Sequence, residues 1–527
     1  MDAAKPLRFI PSNPKKPRSN LCIVLAVLAV SLAVFFFLFA AAAAGGRDRS
    51  EKRQRGGFGI VIDGGSTGTR IHVFEFSAEG GIPVLEMVGS GESVVVSMKV
   101  SPGLSDYAED VDGAGRSIAE LLEFGKGKVP KERWEETEVR LMATAGLRRL
   151  EVAAQERVLE SCRRVLRSSG FRFQDDWASV ISGSDEGIYA WIAANYAMGS
   201  LGGDPQQTTG IVELGGASAQ VTFVSSEPLP PEYSHTLKFG GTTYRLYSHS
   251  LLHFGQNAAY ESLRKLLVSG DLKLSAESVQ SGISPLDPCT PSGYSHGVQS
   301  GMLPSGVLSL KSTSLSTLRA RGNFSECRSA ALMLLQKGKG ECMHEHCRIG
   351  STFIPHLQGK FLATENFFYT SKFFGLASTA SLSDLILAGK QFCGKDWLWL
   401  KKKYHLLTQE DLLHYCFSSA YIVALLHDSL GFALDDKSRI QFVNQVGGMP
   451  IDWALGAFIL LKTDNAGGRK GLITSILGDD PSSLLSLFIV STVLVFTVCS
   501  ICKWRKPQLK TIYDLEKGRY IVTRVNR

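Results

Sequence analysis

The sequence predicts an α/β protein of two related lobes, with a membrane-crossing helix near each end. Three observations predict it. Two glycine-rich turns, 61-VIDGGSTGTR-70 and 211-IVELGGASAQ-220, each follow a short apolar strand pattern. Around them, strand patterns alternate with helical ones, as in a sheet covered by helices. Two charge-free apolar runs, 21–44 and 484–502, are long enough to supply the ~20 residues that span a bilayer as a helix.

The spans come first in chain order. The run 21–44 is longer than the roughly 7–15 apolar residues of a signal peptide, which favours a retained anchor. Asp479 and Asp480 precede the second run, while Lys503, Arg505, Lys506 and Lys510 follow it. The positive-inside rule therefore puts the tail in the cytosol. Two spans return residues 1–20 to the cytosol and leave about 45–483 on the lumenal or extracellular side, at the Golgi or the plasma membrane. The net charge of +7 belongs mainly to these ends, with Lys5, Arg8, Lys15, Lys16 and Arg18 before the first run. That suits membrane flanks, and no zinc-finger spacing or aromatic RNA-reading signature points to nucleic acid. The 527 residues exceed one compact core, and a composition 44% hydrophobic and 20% charged is globular. Cys289, Cys327, Cys342, Cys347, Cys393 and Cys416 form an even late cluster, as expected of three disulfides in an oxidising compartment. Cys162 is left over in an amphipathic helical stretch and reads as a buried thiol. Asn323-Phe324-Ser325 is a glycosylation sequon.

Within the soluble part, 58-FGIVI-62, a glycine turn and 71-IHVFEF-76 read as a strand hairpin. Residues 105–130 read as helix, 138–146 as strand and turn, 148–168 as helix, and 179–182 as a strand leading into a helix near Ser184. The pattern then repeats: 209-TGIVE-213, a glycine turn, and 220-QVTFV-224. Asp63-x-Gly65-x-Thr67 superposes on Glu213-x-Gly215-x-Ala217, which suggests two lobes facing each other. Residues 267–320 look like an irregular insertion, and 443–460 is a turn running into an apolar helix.

Glycine turns after strands bind phosphate because their backbone N–H groups approach closely and point inward. Ser66, Thr67, Thr69 and Ser218 add hydroxyls, and Arg70 adds a cation that pairs with phosphate oxygen. The plain alternative is two tight hairpin turns. No Walker motif exists, and Gly64-Gly65-Ser66-Thr67-Gly68, although it matches G-x-S-x-G, is followed by a strand pattern rather than the helix of a nucleophile elbow. Hydrolysing a phosphoanhydride requires a base for water, and Glu186 in 182-SGSDEGIYAW-191 fits, in a first helical turn. Taken without any resemblance, the same residues read first as an ordinary helix cap. Asp63 and Glu213, ending two facing strands, suit a hydrated divalent cation or a capped turn. In 342-CMHEHC-347 the spacing is too tight for a zinc ribbon and favours a local disulfide. His249 and His253 lack an acidic partner and read as structural.

Five ordered segments, 61-VIDGGSTGTR-70, 142-MATAGLRRL-150, 180-VISGSDEGIYAW-191, 210-GIVELGGASAQV-221 and 447-GGMPIDWALGAF-458, resemble the signatures of the apyrase family, the ecto-nucleoside triphosphate diphosphohydrolases, plant members above all. The resemblance implies two actin-like (ribonuclease-H-like) lobes with the active site in the cleft between them. Lobe one is then 57–182 rejoined by 444–465, and lobe two 183–443; 45–56 and 466–483 are linkers, and 503–527 is the cytosolic tail. It implies hydrolysis of nucleoside tri- and/or diphosphates with Ca²⁺ or Mg²⁺. Glu186 would be the base, with Ser218 and Gln220 orienting the water and Thr144 close by. Phosphate and nucleotide contacts would come from Ile62, Asp63, Gly64, Gly65, Ser66, Thr67, Gly68, Thr69, Arg70, Ile71 and His72, and from Val212, Glu213, Leu214, Gly215, Gly216, Ala217 and Ala219. Asp63 and Glu213 would hold the cation through water; Tyr369 and Tyr415 would clasp the base, with Trp453 in the closing signature. By the same resemblance the disulfides are Cys342–Cys347, Cys393–Cys416 and Cys289–Cys327. Glu213 departs from the family's usual Asp, and Gly64 from its common Ala. A catalytically silent receptor or scaffold is the alternative, opposed by the retained Glu186 and both loops; a polyphosphate-acting relative is a second alternative, opposed by the paired spans and the cysteines. The sequence names no protein partner.

Overall fold

The computed structural model describes residues 56–77, 82–88, 93–239, 241–271, 286–295, 318–337, 344, 347–468, 508–514 and 519–525. Both expected spans, most of the two linkers, Cys342 and most of 267–320 lie outside these residues. Among the described residues no helix is long and apolar enough to cross a membrane.

Two six-stranded sheets organise the chain. The first contains β1 (Gly57–Gly64), β2 (Thr69–Ser77), β3 (Val84–Glu86), β4 (Val95–Val100), β5 (Glu138–Ala143) and β6 (Ala178–Val180). Its order is β3-β2-β1-β5-β6, with β4 also paired to β2. The second contains β7 (Gly210–Leu214), β8 (Ser218–Val224), β9 (Ser234–Phe239), β10 (Thr242–Leu252), β11 (Phe361–Glu365) and β12 (Ile440–Phe442), ordered β12-β11-β7-β8-β10-β9. The repeat runs much deeper than the short sequence match. In each sheet a central strand pairs antiparallel with the strand after its glycine turn, and parallel with a later strand on its other side. The strand after the first turn also excludes the nucleophile-elbow geometry, as its pattern predicts.

Helices cover the outer faces. α1 (Val111–Lys126) and α2 (Val152–Arg167) bury Ile118, Leu121, Val158 and Leu166 against the first sheet. Both helices start later than the sequence pattern suggests. The Asp110 side chain accepts from Gly113 N at 3.0 Å and caps α1, while a separate helical turn, Ala145–Arg148, precedes α2. Cys162 is fully buried in α2, and burial pushes its thiol up to about 12. α3 (Gly183–Ala197) is followed, beyond β10, by α4 (Gln256–Ser269), α5 (Phe324–Gln336), α6 (Asn366–Phe373), α7 (Leu382–Cys393), α8 (Trp397–Lys403) and α9 (Gln409–Val423) on the second half. The bonds Cys289–Cys327 and Cys393–Cys416 tie α5, α7 and α9 into its core. Cys347 is also disulfide-bonded, so it is no zinc ligand.

The two sheets are joined by α3 and by α10 (Trp453–Gly468), the helix after the chain returns. Their apolar faces, among them Trp191, Ala194, Ala454 and Phe458, form one core with Val61 and Phe74 of the first sheet and Ile211 and Leu246 of the second. The helices meet at Gly456, where an added Cβ would lie 1.7 Å from Tyr189 O. Only glycine permits this approach. The tail folds as a hairpin of β13 (Gln508–Asp514) and β14 (Arg519–Val525).

Candidate active site

The two glycine turns face each other. A Cβ on Gly216 would lie 2.9 Å from both Ser66 Oγ and Thr67 Cγ2, so the second loop touches the first. Each loop is held from behind. Thr144 N donates to Gly64 O at 3.1 Å; Gln256 N donates to Gly215 O at 2.9 Å and Asn257 N to Gly216 O at 3.0 Å, at the start of α4.

The cavity between the loops has a volume of about 90 Å³ and is walled by both halves. From the residues expected at the site it gathers Asp63, Gly65, Ser66, Thr67, Gly68, Arg70, Thr144, Glu186, Glu213, Gly215, Gly216, Ala217, Ser218 and Trp453. Ile62, Thr69, Ile71, His72, Val212, Leu214 and Ala219 are buried strand residues that hold the loops rather than line the cavity, and Gly64 packs against Leu104 and Ala143. Gln220 is likewise behind the wall, where its Nε2 donates to Ser218 Oγ at 2.7 Å and Ser250 Oγ at 3.1 Å. Tyr369 is 44% exposed outside the cavity. Tyr415 stacks face to face on Phe373, ring centroids 3.5 Å apart, so a base stacking on that face has to displace Phe373.

Glu186 sits in the first turn of α3 and is only 7% exposed. Its role as a cap is settled by its neighbours. Ser182 Oγ accepts from Asp185 N at 3.0 Å and donates to Asp185 Oδ2 at 2.7 Å, so Ser182 and Asp185 cap the helix. The Glu186 carboxylate turns into the cleft, where Arg148 Nη2 donates to Oε2 at 2.6 Å. Burial raises its pKa, and Arg148 opposes the rise.

Four further carboxylates line the same space: Asp63, Glu213, Glu365 and Asp452. Burial, then Asp452 and Glu186, pushes Asp63 well above the usual range; burial, then Glu186 and Glu365, does the same to Glu213. Asp63 Oδ1 and Glu213 Oε2 are buried without a hydrogen-bond partner. Unpaired buried carboxylate oxygens from both halves fit a hydrated divalent cation, which keeps its waters and takes few direct ligands. Among the described residues no three His, Cys, Asp or Glu side chains gather closely enough to hold a metal by themselves. The cations are Arg70 and Lys99 in the wall and Arg148 on Glu186. Arg70 reaches Asp452 Oδ2 at 3.5 Å, and the Lys99 stem crosses Gly68.

Sequence reasoning missed Arg148, Lys99, Glu365 and Asp452. Arg148 and Asp452 lie inside quoted signatures. Glu365 carried a readable signal, since 361-FLATE-365 is a third apolar strand ending in an acid, like β1 and β7. Lys99 had none. Elsewhere, Asn323 caps α5: its Oδ1 accepts from Ser325 N and Glu326 N, while Nδ2, the atom a glycan takes, lies 3.2 Å from Glu326 Oε1. His249 is largely buried, its pKa pushed down to about 4 by burial and then His235, as a structural histidine.

Two facing glycine loops, unpaired acids from both halves and a carboxylate between them meet in one cleft, the set of parts that hydrolysis of a phosphate chain calls for. The chain belongs to the GDA1/CD39 (nucleoside phosphatase) family, whose model matches residues 49–472. It is 55% identical to Probable apyrase 6 of Arabidopsis thaliana, over 97% of this chain and 92% of that protein. It is 31% identical to ectonucleoside triphosphate diphosphohydrolase 3 of Mus musculus, over 78% and 79%. A crystal structure of nucleoside triphosphate hydrolases from Neospora caninum shares its fold, with a TM-score of 0.57 at 17% identity, over 83% of this chain and 98% of that one.

Proposed function

We propose that this chain is an apyrase-type hydrolase that cleaves the terminal phosphoanhydride bond of nucleoside tri- and/or diphosphates by direct water attack. The observation that carries the reading is Glu186: a buried carboxylate released from capping, held by Arg148, between two phosphate loops. Backbone N–H groups of 65–68 and 216–218 hold the terminal phosphate, while Gly215 N donates to Ser218 O at 3.0 Å and closes the second turn. The water oxygen bonds to phosphorus, the bridging P–O bond breaks, the shortened nucleotide leaves, and Glu186 takes the water's proton. Ser218 orients the water, with Gln220 acting through the hydrogen bond it donates to Ser218 Oγ. Five carboxylates against two wall cations oppose an anionic substrate, which argues for Asp63 and Glu213 acting with Ca²⁺ or Mg²⁺. When bound, that ion neutralises phosphate oxygens. Phosphate release by the purified full-length chain from ATP, ADP, UDP and GDP, with either ion, tests the reading; release from none of them overturns it.

The same proposal keeps the catalytic region lumenal or extracellular between spans 21–44 and 484–502. The disulfides support it, because they persist in oxidising compartments. Protease digestion of sealed vesicles checks it: degradation of the catalytic region without detergent in inside-in Golgi vesicles contradicts the topology.

A further inference from the structure

The two halves match at the central strand and its two neighbours, but one matched position differs in charge. In the first sheet Gly64 pairs with Ala143 at the cleft end of β5. In the second, Leu214 pairs with Glu365 at the cleft end of β11. A methyl group on one side thus stands where the other side has a carboxylate. Glu365 also occupies a backbone conformation, φ 59 and ψ −122, that residues bearing a Cβ disfavour. Glycine fits there without strain, yet the position holds a long acidic side chain. Its backbone is pinned: Glu365 N donates to Asn444 Oδ1 at 2.8 Å, and Asn366 Nδ2 donates to Leu214 O at 2.8 Å. The carboxylate lines the cleft facing Arg70, Lys99 and Asp452. One turn further along α6, Tyr369 stands outside the cavity.

We propose that Glu365 is a specificity-determining residue that biases the cleft toward nucleoside diphosphates and against triphosphates. The inference rests on the hydrolase reading above. A chain anchored by its terminal phosphate between the loops runs outward along the wall that carries Glu365. A triphosphate places one more anionic group in that stretch, and it keeps one more negative charge even when both nucleotides carry a divalent cation. Glu365 also engages the field of Arg70 and Lys99, the wall cations that otherwise receive the added phosphate. A fixed charge beside the extra phosphate, at an effective dielectric of about 20 and further screened by the neighbouring cations, disfavours it by about tenfold.

Glu365→Gln removes the charge and keeps the shape; Glu365→Gly removes the charge and relaxes the backbone, so a folded variant is available. In the full-length chain at fixed free Mg²⁺, kcat/KM for ATP divided by that for ADP is expected to rise about tenfold in both variants. An unchanged ratio in both overturns the proposal. So does an equal loss for both substrates that higher Mg²⁺ restores, which makes Glu365 a holder of the cation instead. Should the wild-type chain hydrolyse nothing, the hydrolase reading fails by itself. The ratio of calorimetric affinities for a non-hydrolysable ATP analogue and ADP then decides the role of Glu365, and no change in that ratio on Glu365→Gln overturns it.

Discussion

Arg148 Nη2 lies 2.6 Å from Glu186 Oε2, joining the turn after β5 to the first turn of α3. The pair spans the seam between the halves, and both partners are mostly buried. It fixes where the proposed base points and lowers the cost of keeping it ionised.

Glu186→Gln is therefore expected to lower kcat by ~10²–10⁴ while the protein stays folded. Arg148→Ala removes the group that opposes burial at Glu186. The base then stays protonated to higher pH, so the ascending limb of the kcat/KM profile moves up; Arg148→Lys moves it back part of the way. A limb unmoved in Arg148→Ala contradicts the assigned base. Rate profiles from pH 4.5 to 9 check this.

The same burial makes stability depend on pH in an unusual direction. Asp63, Glu186, Glu213 and Glu365 all have raised pKa values in the folded chain. A raised folded pKa means the folded state binds protons more tightly than the unfolded one. Its stabilising contribution is complete below the unfolded carboxylate value of about 4 and is lost as pH rises through the folded values. In chelator, Tm should fall from mildly acidic toward neutral pH. Added Mg²⁺ or Ca²⁺ should restore it most at the upper end. Thermal melts across pH, with and without the ion, read both effects.

Neutralising one acid should separate stability from activity. Asp63→Asn or Glu213→Gln relieves repulsion among buried carboxylates and should raise Tm in chelator, while activity falls and the Tm gain from the divalent ion shrinks. Parallel melts and phosphate-release assays measure the two. A Tm that drops in chelator means these side chains stabilise the fold rather than await a cation.

Gly456→Ala should destabilise the chain by ~3 kcal/mol or more, because its Cβ would lie 1.7 Å from Tyr189 O and force α3 and α10 apart. Since Glu186 and Asp452 sit at the cleft ends of those helices, activity should fall further than Tm alone explains. Denaturant unfolding alongside kcat separates the two losses.

The first glycine loop was legible because its chemistry is local. An apolar strand, an acid, small residues and a second strand lie within 58–76, and the strand after the turn already excluded a nucleophile elbow. Glu186 was legible only as one of two readings. Ser182, Asp185 and Glu186 read first as a cap on paper, and the hydrogen bonds between Asp185 and Ser182 assign the cap to those two and leave Glu186 outside it. Tyr415 was read as clasping a base, and one face of its ring is stacked on Phe373, from another helix. Its packing depends on how α6 meets α9, which no local pattern encodes.

The sequence by itself determined the two loops, the acids that end β1 and β7, and the alternation that builds two covered sheets, because turn chemistry and periodicity act over a few residues. Only the tertiary structure decided what surrounds them. Arg70 meets Asp452 across 382 positions, Lys99 arrives on β4 over Gly68, and Glu365 arrives on β11 beside Leu214. Those meetings follow from strand register and from the return of the chain through α10. They set the charge of the cleft, because Coulomb interactions depend on distance in space and not on separation along the chain.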